Sequence, residues 1–185
     1  MSRVKKRTDE ELARLAAAGR KRDFGILLKR YSGRIYNLAY RFSGNRAAAE
    51  DITQDTFIKV YQALPGADLE RPFKPWLYRI AVNTAVSYLR KVKPALNDEL
   101  IQTKPSKNKG PDDLAIDLEL QGRLQSAILK LPLKYRRVVV LRYLENITFH
   151  QISEILNIPE GTAKTNFQRA KIILKRELTD FFETK

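Results

Sequence analysis

The sequence predicts an all-α protein made of two small helical domains joined by a linker. Apolar residues recur at intervals of three and four over long stretches, and no stretch alternates with a period of two over the length of a strand. Residues 93–112 instead contain three prolines, cluster Lys, Ser and Asn, and lack apolar periodicity. We therefore expect an N-terminal domain at residues 1–92, a flexible linker at 93–112 and a C-terminal domain at 113–185.

Four helices are predicted in the N-terminal domain. The first runs from Asp9 to Ala18, and Thr8 with Glu11 has the spacing of a capping box. Apolar spacing predicts three more helices, over about residues 24–42, 49–64 and 73–89. Turn-forming Gly and Pro residues follow the second and third helices, and two prolines lie near the start of the fourth.

The C-terminal domain is predicted to end in a helix-turn-helix. One or two helices are expected over residues 114–131, and Pro132 suits the first turn of the next helix. Thr148 and Gln151 form a capping box before a short helix at 149–156. The turn Asn157-Ile158-Pro159 then separates this short helix from a basic helix over about 160–181, which is the spacing of a helix-turn-helix motif.

The composition excludes several classes of protein. Hydrophobic residues make up 43% and charged residues 30% of the 185, which is globular rather than disordered. The chain has no Cys and a single His, His150, so it lacks thiolate zinc ligands, a Cys nucleophile and a second imidazole. We expect no catalytic residues, no metal and no cofactor. Neither a membrane-spanning run nor a secretory signal is visible, so we expect a cytoplasmic protein without membrane insertion.

The charge favours a polyanionic partner. The net charge is +14, and the basic excess lies in two blocks. Residues 93–122 carry four basic and six acidic side chains, whereas residues 123–185 carry 12 basic and six acidic ones. Two basic blocks on either side of an acidic connector indicate two surfaces that face nucleic acid. The plain alternative is a basic protein whose charge serves solubility.

One face of the last helix carries groups that suit DNA. The apolar residues of this helix lie four, three and four apart, so they form a single face, made of Ala163, Phe167, Ala170 and Leu174. The other side presents small, hydroxyl, amide and cationic residues, namely Gly161, Thr162, Lys164, Thr165, Gln168 and Arg169. Such groups bind base edges and phosphates in the major groove. The alternative is an ordinary amphipathic helix with a solvated basic face.

Two further stretches in the N-terminal domain need an explanation. The helix at 73–91 mixes aromatic, cationic and amide residues, as single-stranded nucleic acid requires. We expect Phe73, Leu77 and Ile80 in the core and Asn83 and Ser87 exposed, while for Trp76 core packing and base stacking both stay open.

The second stretch is an acidic and amide cluster within residues 49–61. Its members include Asp51, Gln54 and Asp55. A solvated helix start or a protein partner would each explain this cluster.

Taken together, these stretches resemble the extracytoplasmic-function (ECF) alternative sigma factors of bacterial RNA polymerase over nearly the whole chain. The motifs that carry the resemblance follow one another in order: Ala49–Phe57, Trp76–Asn83, Leu131-Pro132 with Tyr135-Arg136, and Ile155–Thr165 with Arg169-Ala170. The chain departs from the family pattern at Ala163, where Val is usual, and at Gln151, where Glu is usual.

The resemblance implies a dissociable initiation subunit that binds core RNA polymerase and promoter DNA. Asp51, Gln54 and Asp55 would dock on the clamp helices of the β′ subunit. The helix with Trp76, Arg79, Asn83 and Ser87, and the variable loop at 65–72, would capture the melted −10 strand and hold a flipped base. The polar face of the last helix, from Gly161 to Arg169, would read the −35 element. The β subunit is a further implied partner, and the existence of a separate anti-sigma factor stays open.

Two alternative functions explain less of the sequence than a sigma factor does. A stand-alone helix-turn-helix regulator would explain residues 123–185, but it would leave the stretches at 49–61 and 76–91 without a purpose. A nucleic-acid enzyme would need a carboxylate cluster, a nucleotide-binding loop or a nucleophile with its base, and the sequence shows none of these.

Overall fold

Eight α-helices form two bundles in the computed structural model. The structure describes residues 7–92 and 112–182, without the side chains of 112–119, 144 and 180–182. The N-terminal bundle consists of α1 (Asp9–Ala17), α2 (Lys21–Ser43), α3 (Arg46–Ala63) and α4 (Phe73–Val92), with a 3-10 turn at Leu64–Gly66. The C-terminal bundle consists of α5 (Asp112–Lys130), α6 (Leu133–Val139), α7 (Phe149–Leu156) and α8 (Glu160–Phe182), with a π-helical turn at Val140–Leu144.

The all-α prediction is confirmed, because the described ranges contain helices and turns and no strand. The predicted linker at 93–112 lies outside the described residues except for its last residue, Asp112, which begins α5. The side chains of residues 112–119, at the start of the helix predicted over 114–131, are also outside the described part of the chain. The segment after the linker forms one helix rather than two.

Capping residues fix the ends of several helices. The Thr8 hydroxyl accepts the Glu11 N–H at 3.2 Å, and the Glu11 carboxylate accepts the Thr8 N–H at 2.9 Å, so the predicted capping box is present. Helix α2 ends at Gly44, whose φ of +70° places it in the left-handed region. Pro132 lies one residue earlier than expected, at the N-cap of α6, because its ψ of 140° is extended while its carbonyl accepts the first helical N–H groups.

The start of α3 differs from the expectation in an informative way. The helix begins at Arg46 rather than near residue 49, and the Asn45 side chain caps it by accepting the Ala48 N–H at 3.0 Å. Glu50 and Asp51 therefore lie in the second turn, and the first turn holds no acidic residue. Since the helix dipole acts mainly on the first turn, a favourable helix start does not explain the acidic cluster.

The N-terminal bundle buries the apolar stripe of α2 against α1, α3 and α4. Leu27, Ile35, Leu38 and Phe42 are at most 1% exposed. Each such side chain contributes roughly 1.5–3 kcal/mol when it is fully buried. This packing fixes the direction of α3 and α4, the two helices that carry the predicted sites of this domain.

The two bundles also pack directly on each other, which the sequence did not predict. Helix α2 contacts α5, and α4 contacts α7. The Arg136 guanidinium donates to the Phe42 carbonyl at 2.8 Å, and Gln125 accepts from Arg41 at 2.9 Å and donates to the Tyr40 carbonyl at 3.0 Å. Buried residues of both bundles form one continuous apolar cluster.

A buried carboxylate lies at the centre of the contact between α4 and the C-terminal bundle. The Tyr78 hydroxyl donates to the Glu145 carboxylate, and the Lys74 ammonium donates to the Glu145 backbone carbonyl at 2.8 Å. Burial raises the pKa of the Glu145 carboxyl, while the Tyr78 hydrogen bond and the Lys74 charge act in the opposite direction. The hydrogen bonds therefore offset part of the cost of burying this charge.

We predict that Gly44→Ala destabilises the protein, because Gly44 lies where the bundles meet. The Cβ of an alanine at this position would overlap Leu129 Cδ1. The alanine backbone would also have to adopt a positive φ, which is unfavourable for residues other than glycine. The expected loss is about 1–3 kcal/mol in the free energy of unfolding, measured by urea denaturation.

The matched control is Gly25→Ala in the second turn of α2, where an added Cβ meets no atom within 4 Å. This substitution should stabilise the chain by about 0.5–1 kcal/mol, because Ala favours a helix over Gly. If both variants shifted the unfolding midpoint in the same direction, the result would contradict the close approach of Gly44 to Leu129 of α5.

Candidate nucleic-acid interface

Helices α7 and α8 form the predicted helix-turn-helix. The Thr148 hydroxyl accepts the Gln151 N–H at 3.2 Å, and the Gln151 side chain accepts the Thr148 N–H at 3.2 Å. Gln151 therefore completes the capping box in place of the usual Glu. Asn157 ends α7 with a φ of +51°, a conformation that Asn tolerates better than most residues, and so permits the tight turn into α8.

One face of α8 is buried and the other is open. Ala163 and Ala170 are fully buried, and the Phe167 ring meets the Phe149 ring edge-on, with centroids 5.3 Å apart. All the residues that the sequence placed on the reading face are exposed, namely Gly161, Thr162, Lys164, Thr165, Gln168 and Arg169. The structure therefore brings these six residues together on the solvent side of one rigid helix.

Two of the cations on this face have partners that the sequence analysis missed. The Lys164 ammonium lies 2.7 Å from the Glu160 carboxylate, and this hydrogen bond lowers the pKa of Glu160. The Arg169 guanidinium lies near the Tyr135 hydroxyl and lowers the pKa of Tyr135. The i, i+4 spacing of Glu160 and Lys164 was the signal that could have revealed the first pair. Both contacts restrict the side chains before any ligand arrives.

Helix α4 presents a polar stripe of its own, in addition to the exposed face of α8. Arg79, Asn83 and Ser87 follow one another at intervals of four and are all exposed, so they share one side of the helix. Phe73 and Leu77 are core residues as expected, and Ile80 is half-buried against the core.

The structure assigns Trp76 an intermediate environment. Its ring is half-buried and tilted against the Phe73 ring, with the centroids 5.7 Å apart. Trp76 thus packs on the core while part of its surface stays open at the start of the polar stripe.

The acidic cluster on α3 borders an apolar groove. Asp51, Gln54 and Asp55 are exposed, and Gln54 lines a groove of about 810 Å³ between α2 and α3, whereas the two aspartates lie outside the lining. Sequence reasoning missed the apolar residues of this groove. Leu28, Ile58 and Tyr61 are 40–46% exposed, which is unusual for large apolar side chains grouped on one surface.

A second apolar groove lies on the C-terminal bundle. It encloses about 680 Å³ between α5, the end of α6 and α8. Tyr143 and Ile172 on its lining are 58% and 71% exposed, and Lys171 and Lys175 contribute the charge. Gln168 belongs both to this lining and to the reading face of α8.

Over the described ranges, no three or more His, Asp or Glu side chains group together as metal ligands. The helices described in those ranges are also too short or too polar to cross a membrane. The surfaces that the described residues do present are a basic helix-turn-helix in one bundle and a polar stripe in the other.

Comparison with known proteins defines the class. Residues 27–94 match Sigma-70 region 2, and residues 121–174 match Sigma-70, region 4. The first match covers most of the N-terminal bundle and the second covers the helix-turn-helix bundle. The fold and site are thus those of a sigma-70-type transcription initiation factor, a class of protein that is not enzymatic.

Individual relatives narrow this class further. The chain is 39% identical over 170 residues to the ECF RNA polymerase sigma factor SigW of Bacillus subtilis. This alignment covers 85% of this chain and 89% of SigW. The solved structure of CnrH with the cytosolic domain of CnrY matches with a TM-score of 0.73 and 26% identity, over 93% of this chain and 97% of CnrH. The sigma factor RpoE of Bartonella quintana, solved with the anti-sigma factor NepR, shares the fold at a TM-score of 0.68 and 21% identity, over 85% of this chain and 97% of RpoE.

The chain belongs to the ECF sigma factors of RNA polymerase. It is an alternative sigma factor for transcription initiation, and its partners are core RNA polymerase and promoter DNA.

Proposed function

We propose that three separate faces of this sigma factor divide its work. The open side of α8 reads the −35 duplex, the stripe on α4 captures the melted −10 strand, and the α2–α3 surface binds the β′ clamp helices. The protein works in the cytoplasm, where it acts by binding rather than by chemistry. The observation that carries the proposal is the exposure of all six predicted reading residues opposite the buried Ala163 and Phe167.

The −35 role follows from the geometry of a helix-turn-helix. The second helix of the motif enters the major groove with its N-terminal residues nearest the base edges. In α8 those residues are Gly161, Thr162, Lys164 and Thr165, and the absence of large side chains at the first two permits close approach to the DNA. Gln168 and Arg169 lie one turn further along the same helix, with an amide and a guanidinium for base edges or phosphates.

We expect Lys164→Ala and Arg169→Ala to weaken binding of the −35 duplex while leaving the association with core polymerase intact. A bidentate base contact is worth about 1–3 kcal/mol, and loss of a phosphate contact reduces the salt slope by about one. Fluorescence anisotropy of a labelled −35 duplex over a salt series would measure both quantities.

The control is Lys29→Ala, which removes one exposed cation from α2 in the other bundle. Wild-type affinity and salt slope in both α8 variants would show that α8 is not the reading helix.

The −10 role rests on the stripe of Arg79, Asn83 and Ser87. These residues offer one cation for phosphate and two short polar groups for a base edge. Trp76 adds a partly open aromatic surface at the start of the stripe. Extruding a base costs a few kcal/mol, and contacts of this kind offset that cost.

We predict that Asn83→Ala impairs promoter melting and spares formation of the closed complex. Loss of one amide contact to an extruded base should cost about 1–3 kcal/mol, or roughly tenfold to a hundredfold in the occupancy of the open complex. Permanganate reactivity of unpaired thymines reports melting, and a gel shift reports total binding.

A promoter mismatched across the −10 element serves as the control, because it is already open. It should restore part of the signal if Asn83 helps to drive base extrusion. Equal permanganate reactivity of the variant and the wild type on duplex promoter would remove Asn83 from the site.

Polymerase binding is proposed to combine charge with apolar contact. Asp51, Gln54 and Asp55 lie beside the exposed apolar groove between α2 and α3, which suits a helical partner that carries basic residues around an apolar ridge. The groove on the C-terminal bundle, with Tyr143 and Ile172, is proposed to bind the β subunit.

Charge reversal at Asp51 and Asp55, both to Arg, should abolish co-elution with core polymerase while the helical circular dichroism signal is retained. Ile58→Asp should have the same effect through the groove, because it places a charge in an apolar contact. Promoter-specific transcription in vitro should fall with the loss of association.

The matched control is Glu154→Arg, which makes a similar change of charge at an exposed position on α7. Undiminished association of the Asp51 and Asp55 variant would contradict the assignment of this face. Failure of the wild-type chain to bind core polymerase would instead favour a stand-alone helix-turn-helix regulator.

Simultaneous recognition of both promoter elements requires the two bundles to separate. The −35 and −10 elements are separate stretches of one promoter, and each helical turn of B-form DNA between them is about 34–36 Å long. In this structure α4 contacts α7, and the Lys74 ammonium lies 2.8 Å from the Glu145 carbonyl. The contact between Tyr78 and Glu145 must therefore open when the protein engages a promoter. The 19 residues at 93–111 can span at most roughly 65 Å, which is nearly two helical turns of B-form DNA, so the linker is long enough for the bundles to move apart.

An anti-sigma factor is the remaining partner that we propose. The relative of B. quintana was solved with an anti-sigma factor. In this chain the two exposed apolar grooves offer surfaces on which such a partner would block access to polymerase.

A further inference from the structure

Helix α1 lies against the start of α4, the helix that carries the proposed −10 stripe. The Glu10 carboxylate accepts the backbone N–H of Phe73, the first residue of α4, at 3.1 Å. Pro72, which precedes this helix, has no side chain that could cap it, and Pro75 in the first turn has no N–H. A carboxylate from another helix thus takes the place of the N-cap residue that the sequence of α4 lacks.

The same helix contacts the loop at 65–72. The Arg14 guanidinium donates to the Leu69 carbonyl at 3.4 Å and lies 3.5 Å from the Glu70 carboxylate. Other hydrogen bonds described for this loop stay within the loop or return to Leu64, such as Ala67 N–H to the Leu64 carbonyl at 3.1 Å. Among the described polar contacts, those that join the loop to another helix therefore come from α1.

Helix α1 is itself held firmly, so it can act as a fixed support. Leu12 and Ala13 are fully buried, and Asp9 accepts from both the Tyr31 hydroxyl and the Arg30 guanidinium at 2.5 Å. The Tyr31 ring also meets the Phe73 ring edge-on, with centroids 5.9 Å apart. The position of α1 is thereby transmitted to the first turn of α4.

We propose that Glu10 and Arg14 are positioning residues for −10 recognition. Glu10 sets the direction of α4, and hence of Asn83, through the Phe73 N–H, while Arg14 sets the path of the 65–72 loop. Neither residue needs to touch DNA. The proposal rests on the −10 role of α4, and it follows because a recognition site must be held to within about 0.5 Å by its supporting residues.

The test uses the full chain assembled with core polymerase and a single-stranded −10 oligonucleotide, together with a set that differs from it by one base each. Loss of a cap typically changes an equilibrium by about threefold to thirtyfold, so Glu10→Ala should weaken oligonucleotide binding by that factor and reduce the discrimination between bases. Arg14→Ala should mainly reduce the discrimination. Binding of the −35 duplex should not change in either variant.

Two further variants separate positioning from a general structural effect. Glu10→Gln should retain wild-type discrimination, because the amide oxygen can accept the same N–H. Glu11→Ala removes the same charge and the cap of α1, yet it leaves the Phe73 contact in place, so it should bind like the wild type. Equal losses in Glu10→Ala and Glu11→Ala, or in Glu10→Ala and Glu10→Gln, would overturn the proposal. Absence of any −10 preference in the wild-type complex would instead overturn the proposed function.

Discussion

The burial of α4 is the constraint on which the rest of the molecule depends. This helix contacts α1, α2 and α3 in its own bundle and α7 in the other. Phe73, Leu77 and Tyr78 are at most 2% exposed, so α4 cannot rotate without breaking the cores on both sides. Helix α4 therefore exposes only a narrow stripe, which includes Arg79, Asn83 and Ser87, and the packing of its buried side determines which way this stripe faces.

The proposed recognition of promoter DNA rests on a similar division of α8 into a buried face and an exposed face. On α8 the buried Ala163 and Phe167 fix which side chains point outward, and the ion pair of Glu160 with Lys164 and the contact of Arg169 with Tyr135 restrict two of them. Restricting a side chain before binding lowers the entropy that the complex loses.

The contact between the bundles combines apolar burial with polar groups that are costly to bury alone. Glu145 is a buried carboxylate whose raised pKa reflects that cost, and Tyr78 and Lys74 satisfy its polar atoms. Arg136 similarly donates to the Phe42 carbonyl at the end of α2. An interface held in part by polar groups can open more readily than a purely apolar core, because water can replace its hydrogen bonds. Such an interface is compatible with the proposed separation of the two bundles on promoter DNA.

The sequence by itself determined the helices and the orientation of most predicted site residues, because both depend on local periodicity and on caps such as Thr8 with Glu11. It also determined which residues of α8 lie on the exposed face that we propose reads DNA, since residues three and four apart share a side of a helix. Only the tertiary structure decided that Trp76 is half-buried, that the acidic cluster borders an apolar groove, and that Glu10 caps α4. Contacts such as those of Glu10 with Phe73 and of Tyr78 with Glu145 join residues 63 and 67 positions apart, so no local pattern records them. They exist because the packing of apolar faces from distant helices brings these polar groups within hydrogen-bonding distance.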